Sequence, residues 1–220
     1  MRCIYWNIRG ISNDKSQNCL SKLINKWEPD IVGIAELMIY PNDLPINFLQ
    51  SLGMSSALYS NPNSDPNRVP NLWIIWKDSV STPTMIHFSY HHITVMVDNV
   101  LITIVHAHCL YVQRRHLWLE LSTINSLNLP WLILGDFNAY LSVSEKRGGN
   151  NPMAASMTDF RDFMSNNHLM EVPNSGFQLT WWNKQVGDFK ILGKLDRMLL
   201  SVSLDPITFL SSSSICGAPI

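Results

Sequence analysis

The segment from Trp131 to Asn138 constrains the fold of this chain most, because an apolar strand there runs directly into polar side chains. The four apolar residues at 131–134 indicate a strand buried on both faces, and Gly135 permits a tight exit at its carboxyl end. Asp136 and Asn138 lie two residues apart, so an extended backbone projects both side chains to one side. A turn in which they only cap a helix is the alternative.

Two further strand exits near the amino terminus carry polar groups. Residues 2–6 form a predicted strand that ends at Asn7, and residues 29–35 form a second buried strand that ends at Glu36. Apolar residues recur at helical spacing over 19–27, so the unit is strand, helix, strand, with a crossover that leaves the strands parallel. We expect Asn7 and Glu36 at the same sheet edge. For each residue alone, a loop-stabilising role is the alternative.

The order of these blocks resembles the endonuclease/exonuclease/phosphatase superfamily, and within it the endonuclease domain of LINE-type (non-LTR) retrotransposons. The resemblance implies an α/β fold, a two-sheet α/β sandwich of the deoxyribonuclease I-like type that lacks its final strand or strands. It also implies one such domain over residues 1–210, followed by a polar, disordered tail at 211–220. The matching blocks lie at residues 6–10, 29–36, 104–107, 114–118, 130–138, 144–149, 177–181 and 195–197.

The function implied by the resemblance is that of a magnesium-dependent phosphodiesterase that nicks DNA. Glu36 and Asn7 match the metal-binding positions, and their oxygens suit Mg²⁺, with Mn²⁺ as a possible substitute. Asp136 matches the acid that positions or deprotonates the attacking water, and Asp196 matches an acid that supports the metal or the catalytic histidine. The resemblance assigns catalytic roles to Asn7, His106, Asp136, Asn138 and Asp196, and substrate contacts to Arg9, Lys146, Arg147 and Thr180. An ordinary strand threonine is the alternative for Thr180.

The chain departs from the family pattern at two places. His106 stands where many relatives carry a tyrosine, although a histidine can still donate a hydrogen bond there. His106 and His108 have strand spacing and form a conceivable zinc pair, but no cysteine or acid at a suitable spacing completes that site.

The second departure is that no Ser-Asp-His motif follows Asp196, and His168 is the last histidine. Loss of a positioned acid or base costs about a hundred- to ten-thousand-fold in rate. An impaired endonuclease, an inactive remnant of such a domain, and a phosphatase of the same superfamily are therefore all retained as hypotheses.

The composition of the chain limits how it can bind DNA, what state its cysteines are in and where it is located. A net charge of −1 argues against strong nonspecific binding to nucleic acid, so contact with DNA would fall to local basic patches at 114–115 and 146–149. The second patch lies in a predicted loop after Asn138, and an exposed, solvated loop without a DNA contact is the alternative. The four cysteines are scattered, which predicts free buried thiols at Cys3, Cys19 and Cys109. No apolar run is long enough to span a membrane. We expect an intracellular protein, nuclear by resemblance, and no protein partner is indicated.

Overall fold

The protein, described from a computed structural model, has two main β-sheets packed face to face with helices on both outer sides, and a small three-stranded sheet beside them. This arrangement confirms the predicted two-sheet α/β sandwich. The structure describes residues 1–45, 47–61, 68–173 and 178–201. The predicted tail at 211–220 and the expected loss of a final strand both concern residues outside these ranges.

The elements follow one another along the chain with short connections. The helices are α1 (Asp14–Trp27), α2 (Phe48–Ser51), α3 (Tyr111–Asn125) and α4 (Ala154–Asn166). The strands are β1 (Cys3–Asn7), β2 (Ile31–Ala35), β3 (Met54–Ser60), β4 (Leu72–Lys77), β5 (Thr84–Ser89), β6 (His92–Val97), β7 (Val100–His106), β8 (Trp131–Asp136), β9 (Lys146–Arg147), β10 (Leu169–Glu171), β11 (Trp181–Trp182), β12 (Leu192–Gly193) and β13 (Asp196–Ser201).

The first sheet has the strand order β1-β2-β4-β3, with β1 and β2 parallel and the other pairs antiparallel. Helix α1 makes the crossover from β1 to β2, which confirms the predicted strand-helix-strand unit. Its buried side chains Leu20, Leu23 and Ile24 pack against the outer face of this sheet. Asn7 at the end of β1 and Glu36 just after β2 therefore lie at the same sheet edge, as predicted.

Helix α1 begins with a side-chain cap that the structure allows us to test. Asn13 has an extended backbone, and its Oδ1 accepts the backbone N–H of Ser16 at 2.9 Å. Replacing Asn13 by alanine should lower the free energy of unfolding by about 1 kcal/mol, because one N–H at the helix start loses its acceptor. Urea unfolding followed by circular dichroism measures this loss. Asn13→Ser should retain most of the stability, and equal losses in the two variants would contradict the capping role.

The second sheet has the strand order β10-β13-β8-β7-β6-β5. Strands β7 and β8 are parallel and are joined by α3, whereas the other neighbours are antiparallel. Gly135 lies inside β8 and does not form the exit that the sequence predicted. Its φ is +154°, and a Cβ there would lie 2.0 Å from the carbonyl oxygen of Val105. Glycine is therefore required by the close approach of β7 to β8.

Three groups of buried apolar side chains fill the spaces between the layers. One lies between the sheets, one lies under α1 and α2, and one lies under α3 and α4. In the last group, the ring of Trp118 stacks on Phe160 and Phe163 at centroid distances of 5.2 and 4.8 Å. Burying each such ring contributes roughly 1.5–3 kcal/mol to stability. The helices thus hold both sheets in place, and the sheet edges carry the polar residues.

One prediction about burial is wrong. Cys109 is exposed, because it lies in the turn before α3, whereas Cys3 is buried and Cys19 is half-buried, as predicted. The prolines among Asn, Ser and Asp at residues 61–70 predict a surface loop, of which residues 62–67 lie outside the described ranges. Only 1% of Asn61 is exposed, because its side chain bonds to backbone groups of neighbouring strands. Within the ranges that the structure describes, no helix is long and apolar enough to cross a membrane.

Candidate active site

Three side chains meet where the two sheets come together at the ends of β1, β2 and β7. The Asn7 Nδ2 group donates to Glu36 Oε1 at 2.6 Å. His106 Nε2 lies 3.2 Å from the same Glu36 oxygen. Glu36 and Asn7 belong to the first sheet and His106 to the second, so this contact joins the two sheets. The structure thus brings together the predicted metal position and the histidine that stands in place of the family's tyrosine.

Two aspartates face each other beside this group. Asp136 ends β8 and Asp196 begins β13, and the strand register places the two residues opposite each other. Burial is the main cause that raises the pKa of Asp136, which is 7% exposed. Burial and then the charge of Asp136 raise the pKa of Asp196 to about 7. At neutral pH Asp196 is therefore partly protonated, whereas an exposed aspartate would be ionised.

Thr180 supports Asp196 and does not lie in a strand, so its interpretation as an ordinary strand threonine is wrong. It precedes β11, and its Oγ1 accepts the backbone N–H groups of Leu195 at 3.1 Å and Asp196 at 3.0 Å. The Thr180 hydroxyl beside the Asp196 carboxylate also lowers the pKa of that acid, against the larger effect of burial. Thr180 therefore fixes the start of β13.

Glu36 and His106 influence each other's protonation. The hydrogen bond with His106 is the main cause that lowers the pKa of Glu36. Burial lowers the pKa of His106, but the bond to Glu36 and the charge of Asp136 outweigh burial, so this pKa lies above its usual range. Glu36 is therefore the acid that stays ionised, whereas Asp136 and Asp196 ionise less readily. Because their pKa values differ in this way, the three acids can have separate roles in a reaction.

Three of the predicted site residues have a left-handed backbone. The φ angles are +53° at Arg9, +56° at Glu36 and +47° at Asn138. Outside glycine this conformation costs roughly 1–2 kcal/mol per residue, and it persists where the surrounding structure fixes it, as at many functional sites. Each of these residues follows the end of a strand, so the strain turns the chain sharply at the edge where the polar side chains gather.

Asn138 does not project beside Asp136 as the sequence predicted. Strand β8 ends at Asp136, so the two-residue alternation does not reach Asn138. The Asp136 Oδ1 atom accepts the backbone N–H of Asn138 at 2.8 Å, and the Asn138 Nδ2 group donates to the carbonyl of Ala107 at 2.7 Å. These contacts form a turn that fixes one oxygen of the acid. The alternative interpretation as a helix cap is wrong, because the next helical element, Val143–Glu145, has Ser142 as its N-cap.

The basic residues near the site are of unequal accessibility. Arg9 and Arg147 are exposed, and the positive charge of Arg9 is close enough to lower the pKa values of Glu36, Asp136 and Asp196 in part. Lys146 and Arg147 form β9 and not the predicted loop, and the Lys146 Nζ group donates to the carbonyl of Asn150.

Arg114, by contrast, is not part of a DNA-contacting patch. It is 4% exposed, and its guanidinium donates to the carbonyls of His108 and Cys109 and to Ser156 Oγ, so it serves the internal packing of α3.

Glu36 and Asn7 offer oxygen atoms that fit a hard divalent cation. Within the described part of the chain, no group bonds to the buried Asn7 Oδ1, which lies beside a carboxylate that stays ionised. One or two protein oxygens, completed by water and substrate phosphate, are a common donor set for Mg²⁺. No group of three or more His, Cys, Asp or Glu side chains among the residues described could hold a metal by itself, and the His106–His108 zinc pair gains no third ligand.

A family model described as "Endonuclease/Exonuclease/phosphatase family" matches residues 4–205, nearly the whole chain. The chain belongs to this family. No curated protein sequence matches it significantly. The family includes nucleases and phosphatases that cleave phosphate esters, and divalent metals are in general use within it.

Several solved structures share the fold of this chain at low sequence identity. A 3′-5′ exonuclease (NExo) from Neisseria meningitidis has a TM-score of 0.67 and 17% identity, with 91% of this chain and 87% of that chain covered. The 3′ phosphatase NExo from Neisseria, bound to a product DNA hairpin, has a TM-score of 0.64 and 15% identity, over 90% and 86%. An AP endonuclease from Archaeoglobus fulgidus has a TM-score of 0.68 and 10% identity, over 90% and 86%.

Two polar residues at the site escaped prediction from the sequence. Tyr5 is 3% exposed, and burial followed by the charges of Asp136 and Asp196 raises its pKa well above the usual range. Its position inside an apolar strand gave no functional signal. Asn71 lies 2.6 Å from His106 Nδ1, but in the sequence it follows a stretch typical of a surface loop. The roles assigned to the predicted site residues by resemblance stay predictions.

Proposed function

We propose that this chain is a magnesium-dependent phosphodiesterase that nicks DNA, an endonuclease of the retrotransposon type. The observation that carries the proposal is the contact between Glu36 Oε1 and His106 Nε2 at 3.2 Å, which joins the two sheets beside the Asp136–Asp196 pair. Membership of the family supports phosphate-ester cleavage. The sequence blocks at 114–118 and 144–149 favour the retrotransposon branch over the phosphatases.

In this proposal, each residue of the site has its own role in the reaction. A divalent cation held by Glu36 and Asn7 would offset phosphate charge as the transition state forms. Asp136 accepts the proton of the attacking water, and its raised pKa makes it a stronger base than an exposed aspartate. His106 donates a hydrogen bond toward the phosphate or Glu36, and Asn138 fixes Asp136 through its backbone N–H. The water oxygen bonds to phosphorus as the ester P–O bond breaks, and the leaving oxygen takes a proton from solvent.

DNA is the proposed substrate, and it would meet the exposed cations beside the site. Arg9 lies at the acid pair, and Arg147 lies on the adjacent small sheet. Because the net charge is −1, binding rests on a few phosphate contacts, and added salt should weaken it modestly. A nuclear location, which the retrotransposon resemblance implies, is part of the same proposal.

Glu36→Gln should reduce magnesium-dependent nicking of supercoiled plasmid by about a hundredfold, because several kcal/mol of charge stabilisation is lost with the metal. It should also weaken Mg²⁺ binding measured by calorimetry. Glu120→Gln is the matched control, since Glu120 likewise lies against a histidine, with its Oε2 3.4 Å from His92 Nδ1, outside the site. Equal Mg²⁺ affinity in the wild type and Glu36→Gln would contradict the metal role.

A second candidate is a folded family member that binds metal and cuts nothing, and it is favoured by His106, which stands where many relatives carry a tyrosine. The same assay separates the two, because that protein would lose Mg²⁺ binding on Glu36→Gln without nicking in either form. Incubation with a DNA strand that carries a 3′-terminal phosphate tests the hypothesis that the chain is a phosphatase. Release of inorganic phosphate without any nicking would favour the phosphatase branch of the family.

A further inference from the structure

Asn71 bonds to both members of the Glu36–His106 pair. It immediately precedes β4, and its Nδ2 group lies 2.6 Å from His106 Nδ1. Its backbone carbonyl accepts the N–H of Glu36 at 2.9 Å. The residues it joins come from different sheets, and Asn71 and His106 are 35 positions apart in the sequence. One residue therefore orients the acid through its backbone and the imidazole through its side chain.

Asn71 is itself held by the buried side chain of Asn61. The Asn61 Oδ1 atom accepts the N–H groups of Asn71 at 3.0 Å and Leu72 at 2.7 Å. The Asn61 Nδ2 group donates to the carbonyls of Ser89 and Tyr90 at 3.0 and 2.8 Å. Moving Asn71 would leave some of these groups without partners, and each unmet buried polar group costs about 1–3 kcal/mol. The backbone from which the Asn71 side chain reaches His106 is therefore fixed in place.

The direction of the Asn71–His106 bond determines where the imidazole carries its hydrogen. An amide NH₂ group can only donate, so His106 Nδ1 must accept, and a neutral ring then carries its hydrogen on Nε2. Nε2 is the atom 3.2 Å from Glu36 Oε1, so this tautomer donates to the carboxylate. In the other tautomer, two N–H donors would face each other at Nδ1, and a lone pair would face the carboxylate.

We propose that Asn71 is a positioning residue that selects the Nε2–H tautomer of His106 and so fixes the Glu36 carboxylate for metal binding. The tautomer follows from the contacts alone, whereas its consequence for cleavage rests on the function proposed above. Asn71 does not touch the reacting atoms in this account. It acts through His106 and Glu36, as outer partners of metal ligands commonly do.

Nitrogen NMR of ¹⁵N-labelled, metal-free protein in mildly alkaline solution tests the tautomer without any need for activity. His106 signals, assigned by their loss in His106→Gln, should show a protonated Nε2 and an unprotonated Nδ1. Asn71→Leu should give a mixture of tautomers, and Asn71→Asp, which offers only acceptor oxygens, should shift the hydrogen to Nδ1. The His92 signals are the internal control, because that ring bonds to Ser89 and Glu120 and should not change.

A protonated Nδ1 in the wild type, or His106 signals that are the same in wild type and Asn71→Leu, would overturn the inference. Changes of equal size at His92 would also overturn it, because they would indicate a general loosening of the fold. In the nicking assay with Mg²⁺, Asn71→Leu should lower kcat about tenfold and leave KM for plasmid within about twofold. If the wild type does not nick, the proposed function fails, while the NMR result still decides the role of Asn71.

Discussion

Replacing Asp136 by asparagine should slow magnesium-dependent nicking of plasmid DNA by about a hundred- to ten-thousand-fold, the usual cost of losing a positioned base. The substitution keeps the shape of the side chain, and an amide oxygen can still accept the Asn138 N–H that fixes this group. The loss therefore reports on the charge and basicity of the carboxylate. Asp162→Asn is the control, because it makes the same change at an exposed position on α4. Nicking within about tenfold of wild type would remove Asp136 from the role of base.

The same substitution should stabilise the metal-free protein at about pH 8. A carboxyl group whose pKa is raised above its ordinary value of 3.8 keeps its proton in the folded state where the unfolded chain has released it. Stability therefore falls as the pH rises from 3.8 toward the raised pKa, and the cost remains in full above it. An asparagine avoids this cost. Activity and stability should thus change in opposite directions in Asp136→Asn.

Asp196 provides the same test with a defined pH window. Its pKa of about 7 means that stability is lost between its ordinary value of 3.8 and about pH 7. At about pH 8 the free energy of unfolding of Asp196→Asn should exceed that of the wild type by roughly 2 to 4 kcal/mol, after allowance for partial exposure. This difference in unfolding free energy should shrink as the pH falls through this window. Urea unfolding at about pH 8 and about pH 5 measures both values. If the difference in unfolding free energy between Asp196→Asn and the wild type does not change with pH, the acid pair is not desolvated.

Much of the fold could be predicted because local patterns and chain geometry determine it. The apolar run of β8, the helical spacing of α1 and the length of its crossover were sufficient to predict parallel strands with Asn7 and Glu36 at one edge. Polar residues directly after apolar strands were a sound guide, because the ends of such strands meet where sheets pack. That reasoning reached Asn7, Glu36 and Asp136 from three separate strands, whereas Asp196, which begins β13, was reached only through the family resemblance.

The remainder depends on contacts between distant residues or on backbone conformation, which local patterns do not encode. Nothing near Asn71 indicates that it bonds to His106, 35 positions away, or that Asn61 would be buried. Arg114 was taken for a surface cation because arginine is usually exposed, but the turn before α3 presents carbonyls that enclose it. The raised pKa of Asp196 likewise requires knowledge of which acid lies opposite.

Arg197 is the most consequential of these unpredicted contacts, and Arg197→Met should lower the free energy of unfolding by about 3–5 kcal/mol. Its side chain is fully buried, and its guanidinium donates to both oxygens of Glu145 and to Glu171 Oε2 at 2.8 Å. Methionine fills a similar volume but leaves Glu145 without its cation and Glu171 with Lys194 alone. The cost arises from that uncompensated negative charge more than from lost packing.

The contacts of Arg197 also show why its loss should reach the active site. Its guanidinium donates to the carbonyls of Ala139 and Lys194, each at 3.2 Å. Ala139 directly follows Asn138, and Lys194 lies two positions before Asp196, so Arg197 ties together the two segments that carry these site residues. Lys194 Nζ balances the charge by contacting Glu171 at 2.8 Å. Although burial raises the pKa of Glu145, the bond to Arg197 and its charge lower it below the usual range.

Urea unfolding of Arg197→Met at several pH values separates charge from packing. Arg115→Met is the control, because Arg115 also bonds to an acid, Asp159 at 2.8 Å, but at the surface, and its unfolding midpoint should match the wild type. In the wild type, the lowered pKa of Glu145 adds stability above its ordinary value of 4.5 that is lost on acidification. In Arg197→Met, protonation of Glu145 instead removes its uncompensated charge, so the difference in unfolding free energy from the wild type should narrow as the pH falls toward 4.5. If the difference in unfolding free energy between wild type and Arg197→Met does not change with pH, the lost stability comes from packing alone.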